Sequence, residues 1–240
     1  MNICQEEDKV TVNDLAARFN VTTATIRRDL IKLEDLKLVE RYHGGVKSND
    51  SQSPIKVLNI RKQINAKDKR DIAKYAASFI ENNQTVFIGG GSTSSYMPRY
   101  ITAKNLVVVT NNVQIAAGIS SSGHKCYILP GFFDYLNNNI TGNDCLDILN
   151  NMYFDSCFLG ASGINKNGGF YTTGELSASI KHMVIKRSAA SYILADKSKY
   201  SNLSFTKFAS FNEAMLISNA KPDEPIRDLK VFIVPEKNKL

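Results

Sequence analysis

Two stretches of this 240-residue chain carry residue types whose spacing has chemical meaning. The first runs from Thr22 to Lys32 and packs hydroxyls and cations closely together. Ile26, Leu30 and Leu33 recur within it at intervals of four and three, so a helix here collects them on one buried stripe. Thr23, Thr25, Arg27, Arg28 and Lys32 then fall on the other faces, and Thr22 or Thr23 supplies the N-cap. Threonine hydroxyls and arginine forks suit phosphate oxygens and base edges. One of the two arginines could equally pair with Asp29, Glu34 or Asp35. The second stretch is Gly89 to Ser95, GGGSTSS, directly behind the apolar run Thr85–Ile88 and read as opening a helix. Its glycines permit close backbone approach, and its amides and hydroxyls can hold an anion. No lysine ends it, which excludes a Walker loop, and its spacing is not that of a dinucleotide fingerprint. A phosphate seat for a small metabolite is the reading, with Gly90, Gly91, Ser92, Thr93 and Ser94 as the contacts.

Further candidates stand where later apolar runs end: Asn111 after LVVVT, and Asp196 and Lys199 after YILA. Thr172, Thr173 and Lys181 lie on the loop and helix start between two of those runs. Each alone reads as a helix cap or a surface lysine, and their convergence raises them together. Catalytic arrangements are poor. His43, His124 and His182 have no expected serine or carboxylate partner, and no pair of acids stands at the run ends for general acid/base work. Four scattered cysteines make no CxxC pair and no metal-ligand spacing. The expectation is a non-enzyme with no catalytic residues, no metal and no cofactor.

These side chains need elements to hold them. Asn13 can cap a short helix with apolar positions Leu15, Ala16 and Phe19, and Asn20 tolerates the left-handed turn that stops it. After the second helix, alternation over Val39 to His43 suggests a strand, and Gly44-Gly45 the turn of a hairpin. Two short helices followed by a hairpin is the order of a winged helix-turn-helix. Residues 48–60 are polar and aperiodic, which marks a linker. Beyond them a helix over roughly 65–81 precedes TVFIGG, and apolar runs follow at NLVVVTN, KCYILP, DSCFLGA, SYILAD, AMLIS and LKVFIVP. Such runs, with room for crossover helices between most of them, imply an α/β fold with a Rossmann-like, mostly parallel doubly wound sheet. The expected division is 1–47 DNA-binding domain, 48–60 linker and 61–240 sensing domain.

Hydrophobic residues at 43% and charged residues at 22% are globular values, so the chain can bury a core. The formal charge of +7 permits nucleic-acid binding without establishing it. Residues 1–60 hold as many acids as bases, so any basic surface there depends on placement. Arg61, Lys62, Lys67, Lys69, Arg70 and Lys74, against Asp68 and Asp71, read as a solvated helix face. No run is long and apolar enough to span a bilayer, and the opening residues lack the basic and apolar regions of a signal peptide, so a cytoplasmic location is expected.

VTVNDLAARFNVTTATIRRDLIKLEDLKLVERYHGGV, above all TIRRDL and the later R-x-HGG, resembles the N-terminal signature of DeoR-type bacterial regulators. NAKDKRDIAKYAASFI, LVVVTNN, FDSCFLGASGI, GGFYTT and LADKSKY continue the likeness in family order along nearly the whole chain. The resemblance implies a repressor, homodimeric or homotetrameric, of a sugar or carbohydrate operon. Its sensor domain would be similar to sugar-phosphate isomerases, and a phosphorylated sugar would release it from double-stranded operator DNA. Carried over by position, Thr22 to Lys32 form the recognition helix and Arg41 to Lys47 the wing, with Arg41 and His43 as DNA contacts. Three departures stand out. The first helix is short, because only Met1 to Asp8 precede the segment matching Val10–Val12. The family's glycine-rich loop opens on an aspartate where this chain has Gly89, and a glutamate ahead of the lysine is here Ser177. An isomerase-like enzyme with a vestigial N-terminal module is the alternative, and the loss of both carboxylates argues against it.

Overall fold

The computed structural model describes residues 9–35, 39–42, 44–48, 61–135, 137–165, 168–200, 202, 204–223 and 225–235. The chain divides into two compact units, Met1–Ile60 and Arg61–Leu240.

In the first unit β1 (Val10–Thr11) leads into α1 (Val12–Phe19), followed by α2 (Thr23–Asp35), β2 (Val39–Tyr42) and β3 (Gly45–Ser48). The strands pair antiparallel in the order β1-β3-β2, which completes a winged helix-turn-helix. Thr11, not Asn13, caps α1: its hydroxyl accepts from the Asp14 amide at 3.1 Å. Asn20 stops that helix in the left-handed conformation, with φ 52°. Gly44 takes φ +92° in the hairpin turn, where a side chain would be strained. Val10, Val12, Leu15, Ala16, Ile26, Leu30, Val39 and Val46 form the core. Phe19, read as one of the buried positions of α1, is instead exposed, as are Val21 and Ile31. Met1 to Asp8, read as the shortened first helix, and nearly all of the 48–60 linker lie outside the described residues.

The second unit is built on seven parallel strands in the order β15-β14-β12-β9-β4-β5-β6. They are β4 (Thr85–Ile88), β5 (Val107–Thr110), β6 (Lys125–Ile128), β9 (Phe154–Gly160), β12 (Ser188–Leu194), β14 (Met215–Ser218) and β15 (Val231–Ile233). Each overlaps one of the seven expected apolar runs, although β9 starts one residue and β12 three residues ahead of theirs. Alternate residues feed two cores. Phe87, Val109, Cys157 and Leu159 pack with α5 (Asn143–Leu149) and α6 (Glu175–Lys186) on one face. Val86, Ile88, Val108 and Phe158 pack on the other with α3 (Ala66–Ala77) and α4 (Val113–Ser120). Burial on both faces is why the inner strands read as continuous apolar runs, while the edge strand β6 leaves Tyr127 and Ile128 exposed.

Two antiparallel additions went unread in the sequence. One is the hairpin β7 (Phe132–Asp134) with β8 (Asn139–Thr141). The other is a small sheet of β10 (Gly163–Asn165), β11 (Gly169–Thr172) and β13 (Thr206–Ala209). The glycine-rich segment opens no α-helix, contrary to expectation. It leads into a 3-10 helix, Ser94–Arg99, that contains Pro98. Among the described residues no helix is long and apolar enough to cross a membrane.

Candidate functional site

In the first unit the side chains of α2 sort as the spacing demands. Ile26 and Leu30 are buried and Leu33 is partly covered, while Thr23, Arg27 and Arg28 face water. Thr22 is the cap: its hydroxyl accepts from the Thr25 amide at 3.2 Å and lies 3.0 Å from the Thr25 hydroxyl. That engages Thr25 with the cap and leaves it half-buried. Among the described residues neither arginine has an ion-pair partner. Glu34, one of the three acids that could have taken an arginine of α2, is held by Arg41 of β2, whose Nη1 lies 3.3 Å from its carboxylate. Arg41 therefore ties the hairpin to α2. The side chain of Lys32 and the whole of His43 lie outside the described residues.

In the second unit the chain moves from β4 to β5 and β6 on one side, then returns beyond β4 to β9 and on to β12. The crevice at the carboxyl ends of β4 and β9 is thus the topological switch point, where parallel sheets bind ligands. Two loops meet there closely: a Cβ on Gly160, at the end of β9, would lie 3.9 Å from the Gly91 Cα. The Gly90 amide donates to Asn111 Oδ1 at 3.1 Å, and Asn111 Nδ2 donates to the Ile140 carbonyl. Asn112 holds Asn139 Oδ1 at 2.8 Å and caps α4 through the Ile115 amide. The buried Ser94 hydroxyl donates to the Gly89 carbonyl at 2.6 Å. Ser94 and Asn111 thereby shape the loop. Among the described residues no hydrogen-bond acceptor meets the amides of Gly91, Ser92 and Thr93, which are the donors left for an anion.

Lys181 closes the crevice from α6. Its Nζ donates to the Gly160 carbonyl at 2.8 Å and to Thr172 Oγ1 at 2.9 Å, and stands 4.8 Å from the centre of the Phe208 ring. No described acid pairs with it, and burial lowers its pKa from 10.5 to about 7. Ser177, one turn earlier, offers a hydroxyl 3.5 Å from Thr172 Oγ1 where the resemblance implied a glutamate. Thr173 is exposed beside them.

At the end of β12, Asp196 is buried, and its Oδ1 accepts from the Ser198 amide at 3.0 Å and from Asn65 Nδ2 at 3.1 Å. Burial alone would raise its pKa, yet the bonds from Ser198 and Asn65 and the charge of Lys199 hold it below the ordinary value. Its Oδ2 is buried without a partner among the described residues. Lys69 corrects the reading of its helix face as solvated. It is 3% exposed, and burial lowers its pKa to about 8 against the opposing charge of Asp196. Of the histidines, His182 is exposed on α6, with Nδ1 3.2 Å from the Phe208 carbonyl.

A winged helix with an exposed cationic face, together with a doubly wound domain whose switch-point crevice carries free amides and an unpaired lysine, defines a ligand-responsive DNA-binding regulator. Residues 2–52 match the DeoR-like helix-turn-helix domain, and residues 64–219 match the DeoR C-terminal sensor domain. The chain belongs to the DeoR family of transcriptional regulators. It is 32% identical over 216 residues to an HTH-type transcriptional regulator, FruR, of Bacillus subtilis, covering 89% of this chain and 86% of that one. It is 31% identical to the L-fucose operon activator of Haemophilus influenzae over 87% and 84% of the two chains. The lactose phosphotransferase system repressor of Staphylococcus aureus is 25% identical over 96% and 94%.

Proposed function

We propose that this protein is a cytoplasmic repressor of a sugar or carbohydrate operon, released from double-stranded operator DNA by a phosphorylated sugar. Lys181 carries the effector half of this reading. A half-buried cation with no acid beside it among the described residues, held against the carbonyl of Gly160, itself the neighbour of Gly91, calls for an anionic ligand. The ester phosphate takes the loop amides and Lys181. Asp196 Oδ2, as an uncommitted acceptor, takes a sugar hydroxyl, with Thr172, Thr173 and Lys199 around them. Asn111 and Ser94 support the loop. The crevice binds without turnover, since the two positions where isomerase-like chemistry would need carboxylates are Gly89 and Ser177.

On the DNA side, Thr23, Arg27 and Arg28 of α2 enter the major groove. Thr22 and Thr25 hold the helix start, while Lys32, Arg41 and His43 contact the backbone. A homo-oligomer places two such helices on half-sites about 34 Å apart. The relatives named above act on fucose and lactose systems, one as an activator and one as a repressor, which supports carbohydrate control as the class.

The test is a gel-shift titration against DNA from upstream of its own gene, with and without a panel of sugar phosphates, alongside a thermal-shift screen of the same panel. Sequence-specific retention, relieved by a sugar phosphate that also raises the melting temperature, is expected. Retention equal to that of unrelated DNA at moderate salt, or no stabilisation by any member of the panel, counts against the reading.

A further inference from the structure

The first five residues of the second unit, Arg61–Asn65, are fastened at separate points around the crevice. Arg61 donates through its guanidinium to Asn137 Oδ1 in the β7–β8 turn, at the β5 side. Lys62 Nζ donates to Gln114 Oε1 at 2.6 Å in the first turn of α4, and the Lys62 carbonyl accepts from Tyr96 Oη in the 3-10 helix after β4. Asn65, left-handed at φ 53°, donates to Asp196 at the end of β12, 131 residues away. With strand order β12-β9-β4-β5, these anchors lie on both sides of the β4–β9 switch point. The segment is held together from beneath by Lys69, whose Nζ donates to the carbonyls of Arg61 and Ile64.

We propose that Asn65 and Lys69 are positioning residues of the effector crevice: they hold Arg61–Asn65 as a strap beside it, and through the strap its occupancy reaches the chain ahead of Arg61. The inference rests on the effector reading above. Asp196 is the shared partner. One of its oxygens is taken by Asn65 and Ser198, and the other is buried and unmet. A ligand hydroxyl that satisfies Oδ2 fixes the carboxylate, and with it Asn65 and the strap. Inorganic phosphate can fill the loop amides but reaches Asp196 with no sugar hydroxyl.

The test uses the full chain, hydrogen–deuterium exchange and gel-shift. The probes are inorganic phosphate, glucose 6-phosphate and fructose 1-phosphate. In the wild type a stabilising sugar phosphate is expected to slow amide exchange over 61–65 about fivefold or more, and inorganic phosphate is not. Asn65→Gly keeps the left-handed turn and removes only the side chain. It is expected to retain the rise in melting temperature with that sugar phosphate, while losing both the slowed exchange and most of the ligand's effect on DNA affinity. Unchanged ligand control of DNA affinity in Asn65→Gly overturns the proposal. If neither sugar phosphate stabilises the wild type, the effector reading fails, and the strap is judged on the unliganded chain. There Asn65→Gly and Lys69→Met should speed exchange of these amides about tenfold, with Lys69→Arg restoring slow exchange through its paired donors. Equal rates in all four proteins overturn the strap.

Discussion

A lysine partly withdrawn from water with no acid beside it disfavours its own charged form, and among the described residues Lys181 is in that position. In the unfolded chain it titrates near 10.5, and in the folded protein at about 7. Between those values the unfolded chain holds the extra proton, so this group makes stability rise with pH across the window. Lys69 acts in the same sense from about pH 8 upward. Urea midpoints measured from pH 6.5 to 9.5 should therefore climb more steeply in the wild type than in Lys181→Met, and parallel slopes would contradict this account. A bound phosphate reverses the preference and favours charged Lys181. Ligand binding near pH 8 should take up a proton, read by calorimetry in buffers of different ionisation enthalpy, and affinity should fall as pH rises. Arg28 belongs to the same scale. Exposed and without an ion-pair partner among the described residues, it should contribute nothing to thermal stability when changed to Ala. Specific DNA affinity should drop by about 1–3 kcal/mol if it forks onto a guanine.

At the level of elements, α2 is held by few contacts and aimed by fewer. Leu30 is 5% exposed in a small core, and Leu30→Ala should cost about 2–5 kcal/mol, enough to abolish DNA retention. The response of the second unit to a sugar phosphate should survive, measured as its melting shift. Thr22→Ala removes the cap and should cost about 1 kcal/mol. The Arg41–Glu34 pair is exposed, so its removal should alter stability by less than about 1 kcal/mol while loosening the wing. In the glycine loop the constraint is steric. A Cβ on Gly90 would stand 1.7 Å from Asn139 Oδ1 and 2.9 Å from Asn112 Nδ2. Gly90→Ala must displace the asparagine pair that shapes the loop, and should eliminate sugar-phosphate stabilisation while the sheet still folds.

For the whole molecule, division into two units has a thermodynamic signature. Calorimetry should resolve two transitions, and a sugar phosphate at about 100 times its dissociation constant should raise the stability of the Arg61–Leu240 unit by about 2.7 kcal/mol. Operator DNA should shift the other transition. A single transition moved by both ligands would mean that the units unfold as one.

Much of this organisation was readable before any coordinates, because burial leaves a period in the sequence. A strand covered on both faces is apolar along its length, and the inner strands of the large sheet announced themselves in that way; the edge strand β6 carried an apolar run although Tyr127 and Ile128 stay exposed. The stripe of Ile26, Leu30 and Leu33 likewise dictated which side of α2 faces outward. Pro98 was the available sign that no α-helix follows the glycine loop. The short ribbons β7–β8 and β10–β11–β13 left no such mark: Phe132 and Phe133 are exposed, and glycine and polar residues interrupt the apolar ones in GIN, GFYT and TKFA. Chain order and side-chain type thus specified the large sheet, the outward side of α2 and the position of the glycine loop. Tertiary structure alone decided that Glu34 goes to Arg41, that Lys69 turns inward from a run of surface cations, and that Asn65 meets Asp196. Such pairings depend on where distant segments come to rest in three dimensions, and local spacing holds no record of that.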